Sequence, residues 1–130
     1  MAPGKIVFVA VTLLFVLLVC GAGSSAPPRV IATFPANGAP DVDPSTPEIW
    51  VKFDRPMMDN SWSWCYEKRS QFPDQTAGPR YEENGTKCIL PVRLEPRKEY
   101  VIWINMANHA NFKDRSGTPA EPYKFTFTTR

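Results

Sequence analysis

The residues that can do hydrolytic chemistry are few, and they are not spaced as a catalytic site. The single histidine, His109, lies in the polar stretch 108–111. Nucleophilic hydrolysis needs a serine or cysteine beside a histidine base, and the sequence contains no Gly-x-Ser-x-Gly elbow, no His-Glu-x-x-His pair and no glycine-rich phosphate loop. A lone histidine in a polar loop is usually solvated surface. We therefore predict a protein that is not an enzyme, with no catalytic residues and no cofactor.

Carboxylates offer two further kinds of chemistry. Asp54, Asp59, Glu82 and Glu83 supply acids for a glycosidase pair, but the sequence does not give the separation between carboxyl groups on which that mechanism depends. Acidic residues at alternate positions of the segment 41–47 resemble the start of a calcium loop. The pattern then fails, because the positions that need a glycine and a bidentate carboxylate hold threonine and lysine. We expect no metal site, and a solvated turn held by side-chain-to-backbone hydrogen bonds.

Tryptophan side chains are the best candidates for binding. Trp62 and Trp64 are two residues apart and share one face of an extended segment, about 6 to 7 Å from each other. With Trp50 on the polar face of a neighbouring strand, they could form a platform for a sugar or a protein partner. The alternative is that the rings pack in the core, as large aromatic side chains usually do, and we favour this interpretation.

A disulfide between Cys65 and Cys88 is the remaining chemical possibility, since Cys20 lies in the apolar N-terminal segment. Residue parity decides between two outcomes. If Trp62 and Trp64 face inward, Cys65 points outward while Cys88 points inward, and no bridge forms. If the tryptophans face solvent, both cysteines point into the core, and a bridge would add roughly 3 kcal/mol.

The amino terminus predicts export. Lys5 precedes the run Ile6–Cys20, which is apolar apart from one threonine, and small residues follow it at 21–26. A short basic region, an apolar core of this length and a small-residue segment are the layout of a secretory signal. We expect residues 1–22 to be a signal peptide or membrane anchor and residues 23–28 to be a linker. The protein should then act outside the cytoplasm, whether secreted, periplasmic or membrane-anchored.

Three fates of this segment remain open. Cleavage after Ala22 or Ser24 would release a soluble protein. Lipid attachment at Cys20 is the second fate, because residues 17–20 resemble a bacterial lipoprotein box and the following residues would then form a flexible tether. Retention as an uncleaved anchor is the third, since the apolar run is at the short edge of what spans a bilayer. In each case the protein contacts the membrane only through this segment.

Length, charge and proline content restrict the rest of the chain. Without the N-terminal segment about 105 to 110 residues remain, the size of one compact domain. Lysine and arginine total 15 and aspartate and glutamate 13, a balance that gives no electrostatic reason to expect a nucleic-acid partner. Fourteen prolines rule out long uninterrupted helices and favour short strands joined by rigid turns. The prediction is one all-β domain over residues 29–130.

Alternation of residue types predicts the strands. Polar and apolar residues alternate in Glu48–Phe53, which is typical of a strand with one face toward a core, and Ser61–Trp64 should be an aromatic partner strand. Further strands are expected at Arg29–Phe34, Cys88–Leu94, Glu99–Asn105 and Pro122–Thr129, with a hairpin turn at Asn84–Gly85. Pro91 should place its strand at an edge or a bulge. This spacing predicts an immunoglobulin-like or fibronectin III-like β-sandwich of about seven short antiparallel strands, preceded by a hydrophobic signal or anchor helix.

Four motifs in order resemble a known family. They are Phe34-Pro35-Ala36-Asn37-Gly38, VKFDRPM at residues 51–57, LEPRKEY at residues 94–100 and FTFTT at residues 125–129. Together they are similar to the bacterial Ig-like domain of the SbsA type over residues 29–130. The resemblance implies a sandwich of about seven strands, a role as a surface or spacer module in exported bacterial proteins, and no catalytic residues. It also implies that Tyr100 is a tyrosine corner, with its hydroxyl bonded to nearby backbone.

Two functions follow from these observations. The first is a non-enzymatic module of the bacterial cell envelope with a structural or protein-interaction role, whose partner is an unknown protein or glycan. The alternative is a carbohydrate-binding module that uses Trp50, Trp62 and Trp64 as its platform. Exposure of the indole rings distinguishes the two, because a buried ring cannot stack against a sugar.

Overall fold

The computed structural model describes Gly4 and residues 26–130. The predicted signal or anchor helix, the lipidation candidate Cys20 and the first half of the predicted linker 23–28 lie outside these residues. None of the helices in the described part is long and apolar enough to span a membrane. The described domain is all-β, as the sequence predicts, and its only helical element is a short 3-10 turn at Arg69–Gln71.

Within residues 26–130 the chain forms nine strands in two sheets. Five of them coincide with strands that the sequence predicts: β1 Val30–Phe34, β3 Glu48–Phe53, β7 Lys87–Arg93, β8 Glu99–Ile104 and β9 Tyr123–Thr129. The other four are shorter: β2 Ala39–Val42, β4 Trp64–Cys65, β5 Asp74–Gln75 and β6 Arg80–Glu82. The stretch 67–84 contains the 3-10 turn and two of these short strands, β5 and β6.

The first sheet is built around β3. Strands β1 and β7 pair with β3 in antiparallel direction on either side, and β5 and β6 pair with successive parts of β7. Ile49, Val51 and Phe53 are buried, whereas the alternate residues Trp50 and Lys52 are half-buried. One face of the sheet therefore closes the core and the other points outward, as the alternation predicts.

The second sheet has the order β2-β9-β8-β4. Strands β8 and β9 pair in antiparallel direction along their length, and β2 runs parallel to the end of β9. The sequence indicated a turn rather than β2, because Pro40 and two aspartates interrupt any apolar alternation there. The strand forms because β9 supplies its partners: the N–H groups of Gly38 and Arg130 donate to the carbonyls of Thr126 and Val42 at 2.7 and 2.9 Å.

The core lies between the two sheets and is rich in aromatic rings. Phe53 lies 5.4 Å from Phe112, and Tyr100 lies 5.2 Å from Phe127, measured between ring centroids. Truncating one such buried ring to alanine typically costs about 3 to 5 kcal/mol. The largest fully buried side chains are those of Tyr100, Phe53, Phe112, Phe125, Phe127, Ile49, Met57, Ile89, Leu90, Ile102, Ile104 and Val51.

The prediction of a strand over Ser61–Trp64 is wrong. Strand β4 begins only at the end of this segment, is two residues long, and belongs to the second sheet rather than to the sheet of β3. Ser63 explains the difference. Its carbonyl accepts the N–H of Asn105 at 3.1 Å, and its hydroxyl accepts the N–H of Asn111 at 3.0 Å. The segment is therefore bonded to the end of β8 and the loop that follows it, and it does not pair with β3.

Of the two positions predicted for Pro91, an edge or a bulge, the sheet edge is wrong, because β7 has neighbours on both sides. Strand β6 pairs with β7 as far as Ile89, and the pairing with β5 begins at Val92. The proline lies in the gap between them, and its carbonyl accepts the N–H of Thr76 at 3.1 Å. Proline has no N–H to donate, and at this position no neighbouring strand requires one.

Two turns have the chemistry that the sequence indicates. The carboxylate of Asp43 accepts the N–H and the hydroxyl of Ser45 at 2.8 and 2.7 Å, which is the expected side-chain-to-backbone turn. Asn84 and Gly85, with φ angles of 57° and 78°, join β6 to β7 as a hairpin. Both residue types tolerate this left-handed conformation, which explains their presence there.

One buried asparagine fixes the loop that follows β8. Asn105 is fully buried and has a φ of 64°. Its amide nitrogen donates to the carbonyls of Phe112 and Ala120 at 2.9 and 2.8 Å, and its amide oxygen accepts the N–H of Phe112 at 2.9 Å. The carbonyl of Phe112 also accepts the N–H of Ala120 at 2.8 Å, but the carbonyl of Ala120 and the N–H of Phe112 would be unpaired in the core without Asn105. This side chain therefore determines how the loop folds back.

A second polar centre ties the same loop to the start of the domain. Asp114 accepts the N–H groups of Ser116 and Thr118, each at 3.0 Å, and the guanidinium of Arg55 at 3.3 Å. The same guanidinium donates to the carbonyl of Ala26 at 2.7 Å. Burial raises the pKa of Asp114, but the hydrogen bonds from Ser116, Thr118 and Arg55 outweigh it and hold the pKa below its ordinary value.

Candidate binding cleft

A cleft of about 770 Å³ opens beside β4, at the edge of the second sheet. It brings together four residues that the sequence singles out: Trp62, Trp64, Cys65 and His109. Three segments of chain supply its walls, around residues 62–66, 69–79 and 106–111. The remaining lining residues are Ser63, Tyr66, Arg69, Phe72, Pro73, Gln75, Pro79, Met106 and Asn111.

The two tryptophans form one wall and are held from behind by the core. The ring of Trp62 lies 6.2 Å from that of Tyr81, and Trp64 meets Phe112 edge-on at 5.5 Å. Tyr81 is itself anchored, since its hydroxyl donates to the carbonyl of Ser61 at 2.6 Å. Both indoles are half-buried. Each indole ring therefore packs against the core on one side and lines the cleft on the other.

Another part of the lining carries an arginine held by two aromatic rings. The guanidinium of Arg69 lies 5.6 Å from the ring centroid of Tyr66 and 5.9 Å from that of Phe72. The two rings are 5.3 Å apart, so they form a single aromatic support. Each cation–π contact at an exposed site contributes about 0.5 to 1 kcal/mol. Tyr66 is 42% exposed, which leaves this wall open to a ligand.

The cleft contains cationic and amide groups but no carboxylate. Arg69 and Asn111 are part of its lining, and no aspartate or glutamate is. Within residues 26–130, neither the guanidinium of Arg69 nor the side-chain amide of Asn111 has a hydrogen-bond or ion-pair partner. The amide nitrogen of Gln75 donates to the carbonyl of Ala77 at 2.9 Å, and its amide oxygen remains free to accept a hydrogen bond. These groups remain available to a bound molecule.

The carboxylates considered for a glycosidase pair lie outside the cleft. Three are held in ion pairs at nitrogen–oxygen distances of 2.9, 3.1 and 2.9 Å: Asp54 with Arg55, Glu82 with Arg80, and Glu83 with Lys52. Asp59 accepts the N–H of Asn60 at 2.9 Å. Among the described residues, no group of three or more histidine, cysteine, aspartate or glutamate side chains is arranged to hold a metal ion.

Cys65 and Cys88 are both free thiols. Trp64 packs against the core, so Cys65, the next residue of β4, lies on the other face, where its sulfur is 3.9 Å from the carbonyl oxygen of His109. Cys88 is fully buried between the sheets. Burial raises the pKa of Cys65 and raises that of Cys88 to about 12. The disulfide alternative requires both sulfurs on one face, and the inward position of Trp64 prevents this.

The three-tryptophan platform does not form, because Trp50 lies elsewhere. Its ring is on the outer face of the first sheet, 6.0 Å from the ring of Phe34, with the ammonium of Lys87 at 4.4 Å from its centroid. It is not part of the cleft that Trp62 and Trp64 line. Parity along β3 explains the separation, since Trp50 alternates with core residues of a sheet that does not contain β4.

Tyr100 has the geometry expected of a tyrosine corner. Its ring is buried against Phe127, and its hydroxyl accepts the N–H of Glu95 at 2.7 Å. The ammonium of Lys98 lies 5.2 Å from the ring centroid. This tyrosine therefore fixes the turn before β8 and contributes nothing to the cleft.

Sequence reasoning missed Tyr66, Arg69 and Asn111 as cleft residues. They lie in polar stretches without alternation, so no pattern indicated that they meet. A local signal did exist, because Arg69 is flanked by aromatic residues three positions away on each side, Tyr66 and Phe72. Only the fold brings Asn111 to the same place.

Comparison with known proteins gives one family and two solved structures. A model of the bacterial Ig-like domain family matches residues 24–129, which confirms the resemblance that the four motifs indicate. The chain is similar to the S-layer protein rSbsC, with a TM-score of 0.49, 17% sequence identity, and coverage of 80% of this chain and 14% of that chain. Domains 1–6 of the surface layer protein SbsC match with a TM-score of 0.45, 16% identity and the coverages 80% and 14%. No curated protein matches the chain.

Proposed function

Because the chain belongs to the bacterial Ig-like domain family, we propose that it is a non-enzymatic structural or protein-interaction module of the bacterial cell envelope, exported by its N-terminal segment. The observation that carries this proposal is the family match over residues 24–129, which includes nearly all of the described domain. Its partner is a protein or glycan outside the cytoplasm. The membrane is contacted only through the N-terminal segment.

The chemistry of the cleft supports a non-enzymatic role. The sulfur of Cys65 faces the backbone carbonyl of His109, not an imidazole base. Burial raises the pKa of this thiol, whereas a nucleophilic cysteine needs a lowered one. The cleft also lacks the carboxylate pair of a glycosidase. A cleft with aromatic walls and free donors is better suited to holding a molecule than to transforming it.

The entry of the chain into the domain supports a structural role. The guanidinium of Arg55 bonds the carbonyl of Ala26, and Arg29 exchanges hydrogen bonds with Asp54 at 2.9 and 3.2 Å. The chain is therefore bonded to the domain from Ala26 onward. A module that holds a surface at a set distance from its attachment point benefits from such a rigid start.

Mass spectrometry of the amino terminus in fractionated cells tests the proposal. A free Gly23 or Ser25 outside the cytoplasm would establish cleavage, an acylated Cys20 would establish a lipoprotein, and an intact Met1 in the membrane fraction would establish an anchor. All three agree with export. An intact Met1 in the soluble cytoplasmic fraction would contradict it.

A further inference from the structure

We propose that the cleft beside β4 binds a saccharide that carries a carboxylate, with sugar rings against its aromatic walls and the carboxylate on Arg69. This inference goes beyond the function proposed above, because it assigns a binding site and a chemical class of ligand that the proposed function leaves open. It replaces the platform of three tryptophans with a site that includes only two of them.

The dimensions of the cleft fit a small oligosaccharide. Its volume of about 770 Å³ falls within the range of roughly 300 to 1,000 Å³ that is typical of ligand sites. Tyr66 is 42% exposed at one side, so a longer polymer can continue out of the cleft. A ligand of one to a few rings is therefore accommodated without rearrangement.

The aromatic walls supply flat surfaces at fixed positions. Trp62 is braced by Tyr81 at 6.2 Å and Trp64 by Phe112 at 5.5 Å, so ordering these rings on binding costs little conformational entropy. An aromatic face attracts the polarised C–H groups of a sugar ring through its negative quadrupole.

The charge of the cleft selects an acidic ligand. Arg69 is the permanently charged group in the lining, and no carboxylate is present to neutralise it. Its planar fork of donors matches a carboxylate in bidentate geometry, and the rings of Tyr66 and Phe72 hold the guanidinium in place. A neutral ligand would leave this group without a counter-charge.

The amide groups favour a saccharide over other acids. Asn111 offers both a donor and an acceptor, and Gln75 keeps its amide oxygen, a combination that pairs with hydroxyl groups. An aromatic carboxylate would use the rings and Arg69 but leave these amides unpaired. An acidic peptide would supply carboxylates without the flat C–H faces that the tryptophans accept.

Isothermal titration of the exported protein with four probes tests the inference. The first two are tetragalacturonate and an oligomer of mannuronate. The third is fully methyl-esterified tetragalacturonate, which keeps the sugar and removes the charge. The fourth is tetraglutamate, which keeps the charge and removes the sugar. We expect at least one of the two uronates to bind at least about tenfold more tightly than the ester and the peptide.

Variants then locate the site. Arg69→Gln should lower the affinity for the bound uronate about tenfold or more and abolish the preference over the ester, because it removes the bidentate charge while keeping a polar side chain. Lys68→Gln is the matched control, since this neighbouring exposed cation is outside the lining, and it should change the affinity less than about twofold. The unfolding temperature of both variants shows that each is folded.

The remaining outcomes overturn the proposal. If neither uronate binds, the proposed site does not exist. Equal binding of the ester removes the role of Arg69, and equal binding of tetraglutamate replaces the saccharide with a peptide. An equal effect of Lys68→Gln and Arg69→Gln would mean nonspecific attraction to surface charge.

Discussion

The loop after β8 and the cleft beside β4 are neighbours, yet they use polar side chains in opposite ways. In the loop, Asn105 and Asp114 are buried, and the groups of each are paired with backbone or with Arg55. In the cleft, Arg69 and Asn111 are exposed, and their side-chain donors have no partner within residues 26–130. The two regions share the segment 106–111, so the first determines the position of the second.

This difference separates scaffold from site. A buried polar group that lost a partner would cost about 1 to 3 kcal/mol, so the loop can adopt only the arrangement that satisfies its groups. An exposed polar group exchanges partners with water at little cost and is therefore free to bind a ligand. Substitutions in the loop should change stability, and substitutions in the cleft should change binding alone.

Replacing Asn105 should have the largest effect on stability. Asn105→Ala leaves the carbonyl of Ala120 and the N–H of Phe112 without partners and removes a residue type that tolerates a φ of 64°. We expect a loss of about 3 kcal/mol or more in the free energy of unfolding. Chemical denaturation measures it. Asn108→Ala in the same exposed loop is the control, and an equal loss there would remove the distinction between the two regions.

Asp114→Asn should give a smaller, pH-dependent loss. The pKa of Asp114 is lowered in the folded protein, so its stabilising contribution is complete above the ordinary value of 3.8 and disappears as the pH falls through the lower folded value. The native protein and the variant should therefore differ most at neutral pH and converge below about pH 4. Asp41→Asn, at an exposed position, is the control and should change the free energy of unfolding by less than about 0.5 kcal/mol. A constant difference at every pH would contradict the account.

The two thiols should differ in reactivity. Cys65 is half-buried at the cleft and Cys88 is fully buried in the core, with a pKa raised to about 12. Maleimide should therefore label Cys65 slowly and Cys88 only after unfolding, a rate ratio of about one hundred or more. Peptide mapping after labelling identifies the modified residue. Labelling of Cys88 first, or a disulfide between the two residues in the unreduced protein, would show that the faces are assigned wrongly.

Arg69→Gln should have the smallest effect on stability. The guanidinium has only its two ring contacts, so the free energy of unfolding should change by less than about 0.5 to 1 kcal/mol. Denaturation under the same conditions as for Asn105→Ala gives the comparison. A loss as large as that of Asn105→Ala would mean that Arg69 belongs to the scaffold.

The sequence predicts the strands far better than it predicts the cleft. Strands β3 and β9 alternate polar and apolar residues, and this local pattern is enough to place them in a sheet with one buried face. The sequence does not predict strand β2, because it pairs with β9, more than eighty residues later, and because Pro40 interrupts the strand pattern. The information that makes it a strand is in the pairing, not in its own residues.

The alternation of residues along a strand explains which predictions about the site agree with the structure and which do not. Alternation correctly places Trp50 on the outer face of its sheet. The sequence does not show that β3 and β4 belong to different sheets, and because they do, Trp50 does not join Trp62 and Trp64 in one platform. Arg69 and Asn111 carry no periodic signal. They meet because Ser63 binds the backbone of Asn111 and thereby draws two irregular stretches together.

A nitrogen–proton correlation spectrum recorded during titration with the uronate that binds most tightly tests the separation of scaffold and site most directly. The indole N–H of Trp62 and the side-chain amide of Asn111 should shift, whereas the buried amide of Asn105 and the indole of Trp50 should not. That result would place the ligand in the cleft on an unchanged scaffold. Shifts at Trp50 or Asn105, or no shift at Trp62, would contradict it.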